Sequence, residues 1–177
     1  MNQTCKYFAF ISYSHADKKW GDWLHRSLES FSVPKRLIGR ETRSGPIPAR
    51  ISPVFRDREE LPTSADLSSM INQALQESRY LIVICSPRSA ASRWVNEEVL
   101  AFKRMGRSNR ILAIIVDGEP NAIDKNAGAE SECFCEALKY GLGQDQELTN
   151  IRAEPIAADA RPGKDGKSDA KLKRSSD

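Results

Sequence analysis

The sequence contains no long hydrophobic run, and its charges almost cancel. No apolar stretch in the chain approaches the roughly 20 residues that span a bilayer. Residues 1–6 also lack the basic-then-apolar order of a secretory signal. The net charge of +3 is too small to indicate binding to nucleic acid or to a membrane surface. We therefore expect a cytoplasmic protein with neither of those partners.

Residues that hold metals or disulfides are scarce, and the glycine motifs of nucleotide cofactors are absent. The 4 cysteines and 2 histidines form no cluster with the spacing of a zinc site. Neither GxGxxG nor the P-loop motif GxxxxGK followed by Ser or Thr occurs, which argues against an ordinary dinucleotide or P-loop site. The nucleophile elbow GxSxG is missing as well. The sequence predicts no metal, no structural disulfide and no bound cofactor.

Hydrophobic residues come instead in short runs that alternate with segments of helical spacing. The runs predict strands over residues 8–13, 51–55, 80–85 and 111–116, and a final short strand over 154–158. Between the strands, apolar residues recur every three to four positions, as on an amphipathic helix. This alternation is typical of a parallel sheet with helices on both faces. We expect an α/β fold with the flavodoxin-like strand order 2-1-3-4-5.

The composition changes near residue 161. Beyond it, apolar residues nearly vanish and basic residues outnumber acidic ones. A segment without an apolar face cannot pack against a core. We expect one domain over residues 1–160 and a basic polar tail over 161–177, either disordered or a truncated last helix.

Three polar segments follow predicted strands and should converge at one edge of the sheet. They are residues 12–15 after the first strand, 56–58 after the second and 86–88 after the third. Ligands of open parallel sheets bind beyond the carboxyl ends of the strands, near the point where the strand order reverses. We expect the functional residues at this edge.

The start of the helix after the third strand carries the most specific pattern. Trp94 and Glu98 are four residues apart, so both should lie on one helix face. A carboxylate beside an indole can be partly desolvated, which strengthens its electrostatic effect. The alternative is that Glu98 only stabilises the helix N-terminus through the macrodipole and that Trp94 is a core residue. Spacing alone leaves both interpretations open.

The same segments resemble the signature motifs of Toll/interleukin-1 receptor (TIR) domains, in particular bacterial ones. Residues 10–14 (FISYS) resemble the first signature, and residues 55–62 (FRDREELP) are similar to the strand and BB loop of the second. Residues 86–98 resemble the segment that carries the catalytic glutamate in NAD-cleaving members. The three motifs occur in the order that the family has.

The resemblance implies an NAD+ glycohydrolase that cleaves NAD+ to nicotinamide and ADP-ribose or a cyclic form. NAD+ would then be a substrate and not a redox cofactor. The tryptophan-to-glutamate spacing maps the catalytic carboxylate to Glu98. The other implied substrate-binding residues are Tyr13 and Ser14 on the nicotinamide side, Arg56 and Asp57 near the cleft, and Trp94 as its wall.

Two other functions remain open on the sequence. Many TIR domains are interaction modules that assemble with other TIR domains through the BB loop, here residues 56–65, in signalling or antiphage-type defence. In that case Glu98 is structural or part of a contact. A deoxyribosyltransferase-like enzyme with a nucleophilic carboxylate is the third option, and it fits the first two signatures less well. The catalytic and assembly roles can also coexist, because family members often need assembly to complete the active site.

Overall fold

A five-stranded parallel sheet forms the centre of the protein in the computed structural model, which describes residues 5–42, 45–56 and 66–163. The strands in this part of the chain are β1 (Tyr7–Ser12), β2 (Val54–Arg56), β3 (Ser78–Cys85), β4 (Ile111–Ile115), β5 (Tyr140–Leu142), β6 (Leu148–Arg152) and β7 (Ile156–Asp159). The sheet has the order β2-β1-β3-β4-β7, while β5 and β6 form a separate antiparallel pair. The predicted flavodoxin-like order is confirmed, with β7 as the fifth strand of the sheet.

Helices cover both faces of the sheet, as the sequence predicts. The α-helices of the described residues are α1 (Lys18–Ser30), α2 (Asp66–Gln76), α3 (Pro87–Ala90), α4 (Arg93–Arg104) and α5 (Glu136–Lys139). Side chains of successive strand residues point to opposite faces, so a parallel sheet has two cores. On one face, Phe10 packs with Val83 and with Phe102 of α4. On the other, Ile11 and Ile84 pack beneath α1.

The region after β3 differs from the prediction of one helix. Ser86 begins α3 with a capping box, in which its hydroxyl accepts from the backbone N–H of Ser89. The chain then restarts at Ser92, whose hydroxyl accepts from the N–H of Val95 and begins α4. The caps at Ser86 and Ser92 therefore divide the predicted helix into the short helix α3 and the longer helix α4.

The second strand was predicted at the wrong position, and the β5–β6 pair was not predicted. The sequence pattern places the second strand over 51–55, whereas β2 spans Val54–Arg56. The preceding Pro53 has no N–H to donate, but its carbonyl accepts from the N–H of Phe8 at 2.7 Å. The β5–β6 pair lies in a stretch that the sequence analysis leaves unassigned. Its strands are short and largely exposed, so no apolar alternation marks them.

The start of the predicted tail is anchored to the domain. The Arg161 guanidinium donates to both carboxylate oxygens of Asp159, at 2.8 and 2.6 Å, and to Glu119 at 2.9 Å. Residues 164–177 lie outside the described residues, so the tail and the domain boundary stay predictions. No helix within the described ranges is both long and apolar enough to cross a membrane.

The buried cysteines are expected to be chemically inert. Desolvation raises the pKa of Cys133 to about 12 and that of Cys135 to about 11, and it raises the pKa of Cys85 well above its ordinary value. At pH 8 these groups are protonated thiols, and the thiolate is the reactive form. We predict that iodoacetamide at pH 8 leaves all three unmodified in the native protein and alkylates them in urea, as measured by peptide mass spectrometry. Rapid native labelling of Cys133 or Cys135 would contradict this prediction.

Candidate functional site at the carboxyl edge of the sheet

The order of the strands creates a switch point between β1 and β3. From β1 the chain passes to β2 on one side, and then crosses to β3 on the other side of β1. The connections on either side of this point therefore leave the sheet in opposite directions, which opens a crevice above the strand ends. Ser12 is the last residue of β1 and lies in register with Val83 of β3. The crevice is thus next to Ser12.

Glu98 of α4 reaches this point, and its carboxylate is buried. Its exposed fraction is 5%, and the hydroxyl of Ser12 donates a hydrogen bond of 2.5 Å to its Oε2 atom. Burial of an ionised carboxylate is costly unless hydrogen-bond donors compensate for the lost water. Hydroxyl-to-carboxylate hydrogen bonds are short and strong because the acceptor is charged. The structure therefore brings together Glu98 and Ser12, a residue that the sequence analysis placed at this edge without giving it a role.

The first turn after β1 places Tyr13 and Ser14 differently from each other. Tyr13 is buried, and its ring carbons lie 3.1 Å from the position that a Cβ atom on Gly21 would occupy. The ring therefore packs beneath α1 and supports the loop from the core side. Ser14 is half-buried, and its side chain makes no capping hydrogen bond to the turn that follows. Substrate contact by either residue stays a prediction.

Trp94 and Glu98, four residues apart on α4, differ strongly in exposure. The exposed fraction of Trp94 is 59%, against 5% for Glu98. Trp94 is the second residue of α4, so its indole lies at the helix end, while Glu98 lies one turn further along, among the buried residues Val95 and Val99. The exposure of Trp94 rules out the alternative that this residue belongs to the core. A role for Trp94 in walling the cleft stays a prediction.

Arg56, the residue expected near the cleft, is paired with the neighbouring helix α1. At the end of β2, its guanidinium forms an ion pair with Asp22 of α1, and its predicted place near the cleft stays a prediction. Neighbouring side chains of α1 bond the same strand: His25 Nε2 lies 3.1 Å from the carbonyl oxygen of Val54, and Glu29 accepts from the Val54 N–H. The pairing directs Arg56 toward the helix because Asp22 offers an opposite charge there. The predicted partner Asp57, with the rest of the BB loop through residue 65, lies outside the described residues.

A second buried carboxylate at this edge was missed. Asp17 is 1% exposed, and it accepts from the Ser86 hydroxyl at 2.5 Å and from Arg88 Nε and Nη2 at 3.0 and 2.8 Å. Its partners are 69 and 71 residues away in the chain. No local spacing marks such a contact, so only the predicted convergence of the loops after β1 and β3 could have indicated it.

The arrangement suits interactions with a polar, cationic ligand better than metal binding. Among the residues that the structure describes, no group of three or more His, Cys, Asp and Glu side chains could hold a metal ion. A carboxylate fixed in a low-dielectric setting can instead accept hydrogen bonds from hydroxyl groups and stabilise a nearby positive charge. The chemistry that the site offers is therefore electrostatic.

Comparison with known proteins finds a matching family model, curated relatives and solved structures. A family model described as "TIR domain" matches residues 48–138. The NAD(+) hydrolase ApTIR of Actinoplanes sp. is 36% identical over an alignment of 152 residues that covers 83% of this chain and 19% of that protein. The chain thus spans about a fifth of this relative's length. The TIR domains of the activated Roq1 resistosome, which directly recognises the pathogen effector XopQ, match with a TM-score of 0.49 and 21% identity, over 71% of this chain and 66% of that one.

Proposed function

Because this chain belongs to the TIR domain family, we propose that it cleaves NAD+ between nicotinamide and ribose, with Glu98 as the catalytic residue. The observation that carries the proposal is the buried carboxylate of Glu98, held by Ser12 at the switch point of the sheet. The similarity to an NAD(+) hydrolase supports the choice of substrate. NAD+ is the substrate in this proposal, and the reaction needs no bound cofactor.

The chemistry explains why one carboxylate suffices. When the bond between ribose C1′ and the nicotinamide nitrogen breaks, its electron pair goes to the nitrogen, and nicotinamide leaves as a neutral molecule. No strong acid is required, but the ribose acquires the positive charge of an oxocarbenium-like state. A fixed carboxylate near the ribose hydroxyls stabilises that charge. Water then adds to C1′ and releases a proton, which gives ADP-ribose; attack by the adenine base instead gives a cyclic product.

Burial of Glu98 adds to this effect. A charge in a low-dielectric site acts more strongly on its neighbour than the same charge in water. The Ser12 hydrogen bond fixes one oxygen, so the carboxylate need not reorient when the ribose charge develops. In this proposal the loop with Tyr13 and Ser14 lies on the nicotinamide side, and Trp94 closes the opposite side of the cleft.

A second role, homotypic assembly, is favoured by the exposure of Trp94. Exposed tryptophans are enriched at protein interfaces because a large rigid side chain buries much area at a low entropic cost. We propose that TIR-TIR contacts bring copies of the domain together in cytoplasmic signalling or antiphage-type defence. Assembly and NAD+ cleavage are compatible in one protein. The alternative to an enzyme is a TIR domain that only assembles with other TIR domains and does not cleave NAD+.

The proposal is tested by nicotinamide release. Purified protein is incubated with NAD+ alone and after clustering on a multivalent scaffold, and nicotinamide is quantified by chromatography. We expect release by the clustered protein, accompanied by equimolar ADP-ribose or its cyclic form. The absence of release in both states, with retained self-association in light scattering, would reject the enzyme and favour the interaction module.

A further inference from the structure

The Asp17–Arg88 pair lies at the same edge as Glu98, and the proposed mechanism does not use it. We infer that Arg88 and Asp17 are positioning residues, which hold the loop after β1 in the geometry that substrate binding requires. The inference rests on the proposed function, because the loop is the one that carries Tyr13 and Ser14. Neither residue contacts the substrate in this proposal.

The two members of the pair differ in their exposure. The Asp17 side chain is fully buried, whereas 48% of the Arg88 side chain is exposed. Asp17 accepts both Arg88 hydrogen bonds at Oδ1 and the Ser86 hydrogen bond at Oδ2, so both of its oxygens are occupied. A buried carboxylate with this number of donors has one strongly preferred position. Its backbone, and the turn from Ser14 to Asp17, is held with it.

The contacts of Arg88 extend across the site edge. Arg88 follows β3, its main partner Asp17 follows β1, and its Nη1 atom lies 3.6 Å from Asp117, which follows β4. One guanidinium thus connects three loops that end three neighbouring strands of the sheet. We call the group Asp17, Arg88 and Asp117 the rim clasp. An exposed ion pair alone contributes little to stability. The buried carboxylate of Asp17, in contrast, favours one geometry of the rim clasp.

The turn that the rim clasp holds lies close in the chain to the residue that binds Glu98. The turn from Ser14 to Asp17 begins two residues after Ser12, which holds Glu98. If the loop becomes mobile, only the fraction of molecules with the loop in place binds substrate, and the apparent affinity falls by that fraction. Loss of the clasp should therefore raise KM for NAD+, while the fold persists.

The test compares Arg88→Gln with Arg88→Lys and with the control Arg104→Gln. Arg104 lies in the last turn of α4, at the other end of that helix from Trp94. It makes an exposed ion pair of 3.0 Å with Glu147. We expect Arg88→Gln to raise KM roughly 10-fold, because a smaller fraction of the molecules has the loop in the conformation that binds substrate. Arg88→Lys retains the charge but not the two-donor fork, so its KM should lie between those of wild type and Arg88→Gln. Arg104→Gln should match wild type.

Hydrogen exchange of peptides that cover residues 13–17 provides a readout independent of activity. We expect faster exchange in Arg88→Gln than in wild type or Arg104→Gln, with unchanged circular dichroism. Unchanged exchange would overturn the inference, and so would faster exchange with unchanged KM. A lower kcat at constant KM would indicate a merely structural loss of active protein and would also overturn it. Wild-type protein without NAD+ cleavage in any state would reject the proposed function and the positioning role with it, while exchange would still show whether Arg88 holds the loop.

Discussion

Replacement of Glu98 by Gln is expected to reduce nicotinamide release from NAD+ by at least about 100-fold without unfolding the domain. The substitution keeps the size of the side chain and an oxygen that can accept the Ser12 hydrogen bond. It removes the negative charge that stabilises the oxocarbenium-like ribose. The loss should appear in kcat more than in KM, because the charge on the ribose develops only in the transition state.

The neighbouring Glu97→Gln variant is the matched control. Glu97 is exposed on the same turn of α4, so this change removes the same charge one residue away from the site. Surface substitutions usually alter stability by no more than about 0.5 kcal/mol, and we expect wild-type release from this variant. Equal activity in Glu98→Gln and wild type would remove Glu98 from the mechanism. Equal loss in both variants would indicate a general charge effect and not a specific site.

The stability of Glu98→Gln provides a second measurement. An ionised carboxylate that is 5% exposed loses much of its hydration, and a neutral amide loses less. The thermal midpoint of Glu98→Gln should therefore equal or exceed that of wild type. Residues of active sites often lower the stability of the folded protein. A large fall in the midpoint would show instead that the carboxylate is needed for folding.

The sequence predicts the sheet well because its signals are local. The runs around β1, β3 and β4 are short and apolar, since both faces of these strands are covered, and helical spacing follows β1 and β3. Strand order follows from the few topologies that right-handed crossovers allow. The β5–β6 pair has no such pattern. It is held by contacts with other elements, for example the Lys103 ammonium, which donates to the Tyr140 carbonyl at 2.7 Å.

The site is predicted less completely because its contacts join distant segments. Helical spacing places Glu98 near the start of a helix, and the convergence of strand ends places it near residues 12–15. The hydrogen bond between Ser12 and Glu98 spans 86 positions, and no periodicity encodes it. The spacing that puts Trp94 and Glu98 on one helix face does not predict their different burial, because burial also depends on the position of each residue along the helix. The ion pair of Arg56 with Asp22 of α1 likewise joins segments that no local pattern relates.

Among the glycines that the structure describes, Gly118 is the one where an added methyl group meets backbone at the shortest distance. It follows β4 with a φ of +79°, a conformation that costs L-residues roughly 1–2 kcal/mol. A Cβ atom there would lie 2.6 Å from the Ser131 carbonyl oxygen and 2.8 Å from the Pro87 ring. Pro87 begins α3, directly before Arg88, so the close packing of Gly118 also holds the rim clasp in place. Both backbone strain and steric overlap oppose Gly118→Ala.

Gly106→Ala separates these two contributions. Gly106 has a φ of +73°, nearly that of Gly118, but no atom lies within 4 Å of its hypothetical Cβ. This variant therefore carries the backbone strain alone. Overpacking costs typically about 1–3 kcal/mol, so Gly118→Ala should lower the free energy of unfolding in urea by that amount beyond Gly106→Ala. Equal losses would show that Ser131 and Pro87 move aside at no cost. The overlap with Pro87 displaces the start of α3. The larger loss of stability in Gly118→Ala should therefore be accompanied by faster hydrogen exchange at residues 86–90. In Gly106→Ala, exchange of that segment should be unchanged.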